Sequence, residues 1–120
     1  MARVVHFEIA ADDPERAVDF YREVFGWKVE KWEGPMDYWL CATGEAGEPG
    51  INGAIMRRSD PGQSIVNTIG VTSLEESMAK VVERGGTVTS EATDIPGVGR
   101  FASCADTEGN AFAMLQPQMD

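Results

Sequence analysis

His6 and Glu8 stand two residues apart in the segment Val4-Val5-His6-Phe7-Glu8-Ile9-Ala10-Ala11. In an extended chain that spacing puts an imidazole and a carboxylate on one face. Such a pair can do acid–base work, because the carboxylate tunes a ring that titrates near neutrality. The same two groups can also ligate a divalent metal. His6 is the only histidine of the chain, so one chain cannot build a multi-histidine centre. The bland alternative is a half-buried, hydrogen-bonded histidine that serves only the fold.

Aromatic side chains form the second candidate group. Trp27, Trp32, Tyr38, Trp39 and Phe101 fall on or beside extended segments. Walls of this kind grip planar molecules by stacking and desolvation. Trp39 and Phe101 are the expected ligand-binding aromatics alongside His6 and Glu8, whereas Trp27 is expected to pack the end of a helix. Other motifs read as structure. Cys41 and Cys104 lack a neighbouring base in sequence and are expected as buried thiols. Asp106-Thr107-Glu108-Gly109-Asn110 is read as a turn, because it lacks the further oxygen ligands of a calcium loop. Gly97-Val98-Gly99 is followed by no helix start and is not a phosphate loop.

The elements that must position these residues come in two similar sets. A shift of about 60 residues superposes Ile9 on Ile69, Glu15 on Glu75, Glu23 on Glu83 and Gly26 on Gly86. In the first set, Val4–Ala11 alternates as a strand, with Val5, Phe7 and Ile9 on one side and His6, Glu8 and Ala10 on the other. Asp13-Pro14 caps and starts a helix, and Ala17, Val18, Tyr21, Val24 and Phe25 give it an apolar stripe. Gly26 ends it. Three β-rich stretches follow, at 27–33, 37–43 and 51–57. In the second set, 65–71 is strand-like and Ser73-Leu74-Glu75-Glu76 has capping-box spacing. Met78, Val81 and Val82 supply its stripe, Gly85-Gly86 ends the helix, and strands are predicted at 87–92, 99–105 and 111–116. The pattern is βαβββ twice, an α+β domain over 1–120, with repeat one at about 3–58, a linker at about 59–63 and repeat two at about 64–117.

The 120 residues carry 10 basic and 20 acidic side chains, a net charge of −10, and 42% hydrophobic residues. That acidity disfavours nucleic acid as a partner. No apolar run approaches the roughly 20 residues of a membrane span, and the first residues lack a signal-peptide core. A cytoplasmic protein is expected, with no membrane partner. A strongly anionic ligand is disfavoured unless Arg57, Arg58 or Arg100 lines the binding site.

The residues Asp13-Pro14-Glu15-Arg16-Ala17, Phe20-Tyr21 and Phe25-Gly26-Trp27 form one set of motifs. Gly85-Gly86, Ile95-Pro96-Gly97-Val98-Gly99-Arg100 and Asp106-Thr107-Glu108-Gly109-Asn110 before Phe112 form the other. In this order the chain resembles the vicinal oxygen chelate superfamily, which includes glyoxalase I, extradiol dioxygenases and bleomycin-resistance proteins. The resemblance implies two βαβββ units enclosing a cup, with His6 and Glu8 pointing inward, and a homodimer. It also implies four metal-ligand positions, on the first and last strand of each repeat. His6 is the only surviving ligand there: the others fall on Val66, on Ala113 and in the acid-free stretch 53–56. No metal or other cofactor is expected, although Glu8 could add a second ligand. The expected function is metal-independent binding of a small organic molecule, with planar or aromatic molecules among the candidates. The alternative is a glyoxalase- or dioxygenase-type enzyme (lyase, isomerase or dioxygenase) using His6 as metal ligand or acid–base group with Glu8 assisting.

Overall fold

The computed structural model describes residues 2–118. The chain divides into two compact units, one spanning His6–Ile65 and the other combining the residues up to Val5 with those from Val66 onward. The first unit holds most of β1 (Arg3–Ala11), then α1 (Pro14–Phe25), β2 (Lys28–Lys31), β3 (Tyr38–Ala42) and β4 (Gly53–Arg57). The second holds most of β5 (Ile65–Gly70), then α2 (Leu74–Glu83), β6 (Thr87–Val88), β7 (Thr93–Ile95), β8 (Gly99–Ala105) and β9 (Ala111–Pro117). Among the described residues, no helix is long and apolar enough to cross a membrane.

Local chemistry accounts for the helix boundaries. The Asp13 side chain accepts from Arg16 N at 3.2 Å, Pro14 opens α1, and Gly26 closes it in the left-handed region at φ 73°. Ser73 caps α2 by accepting from Glu76 N at 3.3 Å. The turn after β8 is held by Asp106, whose carboxylate accepts from the backbone of Glu108 and Asn110 at 2.8 and 2.9 Å. Those donors depress its pKa. The expected linker is an ordered turn in the first unit, where Gln63 N donates to Asp60 O and Ser59 N to the Gln63 side chain.

Within the first unit the strands run in the order β2-β3-β4-β1, with β1 and β4 parallel and the other neighbours antiparallel. In the second the order is β6-β8-β9-β5, again with the repeat's first and last strands parallel. The registers match row for row. Glu8, Ala54 and Leu40 form one row, and Thr68, Ala113 and Ser103 form its counterpart. Val29 faces Cys41 as Val88 faces Cys104. The structure departs from expectation at 87–92, where one strand was predicted. β6 and β7 both pair with β8, and between them Thr89 N and Ser90 N converge on Ser103 O. The Ser90 hydroxyl takes the Ser103 N–H in exchange, at 2.9 Å. The strand is therefore broken by a bulge at which the Thr89 and Ser90 N–H groups stay paired.

Each helix covers one side of its sheet. Val18 of α1 meets Ala11, Val29, Trp39, Cys41 and Ile55, while Ile9, Tyr21 and Trp27 pack around them. Leu74 of α2 meets Val71, Ala102, Cys104 and Met114. Gly53, in the register of Phe7, admits the Phe7 ring: a Cβ there would run into it. Substituting Gly53→Ala should therefore cost about 1–3 kcal/mol as an overpacking change. Urea denaturation monitored by circular dichroism checks this, and an unchanged midpoint would contradict the close approach.

Candidate functional site

Alternation along β1 decides which side chains are available for chemistry. Ile9 and Ala11 point into the core under α1, so His6, Glu8 and Ala10 occupy the opposite face. On that face Ala54 and Met56 come from β4, Tyr38, Leu40 and Ala42 from β3, and Lys28 and Glu30 from β2. Leu40 is 44% exposed there, which marks the face as open. It borders a hollow of about 430 Å³ lined by His6, Lys28, Glu30, Leu40, Ala42 and Asn52, among others.

The structure brings His6 and Glu8 together through Tyr38. The Tyr38 hydroxyl donates to Glu8 Oε2 at 2.7 Å and lies 2.9 Å from His6 Nε2. β3 and β1 are not neighbours, since β4 runs between them, at about 4.8 Å from each. Tyr38 can span the gap because Ala54, which is fully buried, offers only a methyl group on that face. Its backbone is fixed at the same point: Trp32 N donates to Tyr38 O at 2.7 Å, and the Trp32 ring sits edge-on to Tyr38 with centroids 6.1 Å apart. Next in sequence, Asp37 pairs with Lys31 at 3.5 Å and Arg57 at 3.3 Å. These ion pairs are about half exposed and so contribute about 1 kcal/mol at most.

Burial dominates the electrostatics. It lowers the His6 pKa below 6.5, against the opposing pull of Glu8. It also drives the Tyr38 pKa far up, with the Glu8 hydrogen bond and charge adding to the effect. At neutral pH the ring is uncharged and the phenol keeps its proton. Burial pushes the Cys41 thiol up to about 11 and raises Cys104 as well, and both are free thiols in the cores, so neither is poised as a nucleophile.

The remaining sequence candidates have their own surroundings. Trp39 is 8% exposed and packs in the α1 core with Val18, Cys41 and Ile55, on the opposite side of the sheet from His6 and Glu8. Lys31 Nζ lies 5.4 Å from its ring centroid. The sequence held a signal for this placement, since residues 39 and 41 of one strand must share a face and Cys41 reads as buried. Phe101 belongs to the second unit, half-buried in a row with Thr93 and Leu115 and facing away from Ala102 and Cys104 of the α2 core. Arg57, Arg58 and Arg100 are all engaged by carboxylates: Asp37, Asp12 at 2.9 Å, and Glu75 with Asp94, respectively. Tyr38, Asn52, Lys28 and Glu30 are site residues to which sequence reasoning assigned no polar role.

Nε2 of His6 and Oε2 of Glu8 both contact the neutral Tyr38 hydroxyl. Among the described residues, no group of three His, Cys, Asp or Glu side chains is placed to hold an ion.

Comparison with known proteins places this geometry in context. Residues 3–114 match the family model described as the Glyoxalase/Bleomycin resistance protein/Dioxygenase superfamily. Two curated relatives, both named "Putative glyoxylase CFP32", from Mycobacterium bovis and Mycobacterium tuberculosis, are 32% identical over 116 residues. That alignment covers 92% of this chain but 42% of theirs, so the chain spans less than half the length of these relatives. Among solved structures, a hypothetical protein of Bacillus halodurans C-125 matches with TM-score 0.75 and 18% identity, over 99% of this chain and 96% of its own. The methylmalonyl-CoA epimerase of Mycobacterium tuberculosis matches with TM-score 0.72 and 17% identity, over 97% and 88%. A Streptomyces coelicolor methylmalonyl-CoA epimerase variant, in complex with 2-nitronate-propionyl-CoA, gives 0.73 and 18%, over 98% of both chains.

The lowered His6 pKa carries a sign. The unfolded chain takes up a proton near pH 6.5 before the folded protein does, so this group's stability contribution is full above that value. It is lost as the pH falls through the folded pKa. Thermal unfolding from pH 7.5 to 5 should show a steeper fall in Tm for the wild type than for His6→Gln. Parallel curves would refute the buried neutral ring.

Proposed function

The chain belongs to the Glyoxalase/Bleomycin resistance protein/Dioxygenase superfamily, and from that premise we propose that it binds a small organic molecule on the open face of its first repeat, without a metal held by its own side chains. A shared scaffold carries many chemistries, so the reading stands on the site. The observation that carries it is the Tyr38 hydroxyl lodged between His6 Nε2 and Glu8 Oε2 beside a hollow of about 430 Å³. That volume suits a small ligand. Exposed Leu40 and half-buried Ala42 supply apolar surface, while His6, Asn52 and Lys28 supply polar contacts.

Two titrations test this. Calorimetry with zinc, nickel and manganese should detect no micromolar binding, and tight binding abolished by His6→Ala would overturn the metal-free reading. Trp32 stands against Tyr38, so a ligand entering the hollow should change tryptophan fluorescence in the wild type and lose affinity in His6→Ala.

The second reading is a proton-transfer enzyme, favoured by the continuous His6–Tyr38–Glu8 hydrogen-bond line. The epimerases of the same fold act on a coenzyme A thioester, a polyanion. Here Arg57, Arg58 and Arg100 are paired and the net charge is −10, which supports an uncharged ligand instead. Incubation with methylmalonyl-CoA in deuterated water is expected to incorporate no deuterium into the substrate. Incorporation lost in His6→Ala would establish the enzymatic reading.

A further inference from the structure

We propose that Tyr38 is a positioning residue that locks His6 as its Nε2–H tautomer, so that Nδ1 is the hydrogen-bond acceptor offered to the ligand, and the ligand class is one presenting an O–H or N–H donor, such as a phenol, enol or amide. The inference deepens the small-molecule reading above and rests on it for the ligand, but not for the tautomer.

The argument is a count of protons along two short contacts. A phenol has one hydrogen, and a carboxylate offers none. With 2.7 Å between Tyr38 Oη and Glu8 Oε2, that hydrogen lies on the Glu8 contact. The 2.9 Å contact to His6 Nε2 then needs its hydrogen from the ring. The opposite tautomer would set two lone pairs against each other, either at Nε2 or at the carboxylate, in a half-buried place where an unmade hydrogen bond costs about 1–3 kcal/mol. A neutral imidazole with hydrogen on Nε2 has a bare Nδ1.

That nitrogen is open to a ligand. No described residue hydrogen-bonds it, and no sealed-off side-chain nitrogen or oxygen among the described residues lacks a partner. Nδ1 therefore reaches the surface, in a side chain that lines the hollow. A bare ring nitrogen repels anions and other acceptors and attracts donors, which sets the ligand class. The burial that keeps His6 uncharged reinforces this preference.

Since His6 is the only histidine, long-range proton–nitrogen NMR correlation reads its tautomer without assignment ambiguity. At mildly alkaline pH the wild type should show a protonated Nε2 and a bare Nδ1. In Tyr38→Phe the two nitrogen shifts should move toward each other as the tautomers mix. Phenol should displace the Nδ1 resonance, while anisole, similar in shape but without a donor, should not. A wild-type Nδ1–H tautomer overturns the proposal, as does an unchanged tautomer in a folded Tyr38→Phe. Equal displacement by anisole, or none by phenol, overturns the donor-ligand class. If Tyr38→Phe does not give a dispersed spectrum, the wild-type tautomer and the two probes decide. A fixed Nε2–H tautomer with no fluorescence response to any small molecule would support the positioning role and sink the binding function, so the two failures are distinguishable.

Discussion

The period of two along β1, combined with a helix on only one side of its sheet, is the constraint from which the rest follows. Ile9 and Ala11 must lie under Val18, so His6 and Glu8 are forced onto the other face. Their polar atoms are then too deep to be fully hydrated. A half-buried carboxylate and a half-buried imidazole need partners, and one hydroxyl serves both. The apolar packing of one face and the polar chemistry of the other are thus two results of one alternation.

Much of this was legible in the sequence. The helix caps at Asp13 and Ser73, the stop at Gly26, the turn at Asp106 and the inheritance of one plan by two repeats all rest on local signals. The two faces of β1 were legible as well. Tyr38 was not, because its role depends on three strands lying side by side and on Ala54 leaving a gap between them. Trp39 and Tyr38 are adjacent aromatics on opposite faces, and a single step of register exchanges them. The face of Cys41 resolves that choice. The bulge between β6 and β7 escaped because Thr-Val-Thr-Ser reads as an unbroken strand, whereas the break depends on Ser90 meeting Ser103.

The matching registers expose how differently the two repeats are furnished. Where the first has Glu8 on its opening strand and Tyr38 on β3, the second has Thr68 and Phe101 in the same rows. His6 corresponds to Val66 by sequence offset. The small residues Ala54 and Ala113 are kept in both, as are the buried cysteines. The shared small and buried positions keep one plan in both repeats, while the His6–Tyr38–Glu8 cluster belongs to the first alone.

The paired arginines have an effect beyond their local contacts. Each cation bound to a carboxylate cancels one negative charge nearby, but the acids outnumber the bases two to one, so the uncompensated charge sets the far field. At physiological ionic strength that field decays over about 8 Å. An anion is slowed on approach in dilute buffer and regains speed as salt is added, while a neutral molecule diffuses in at the same rate in either medium. The protein thus sorts its visitors by charge before any of them reaches the open face of β1.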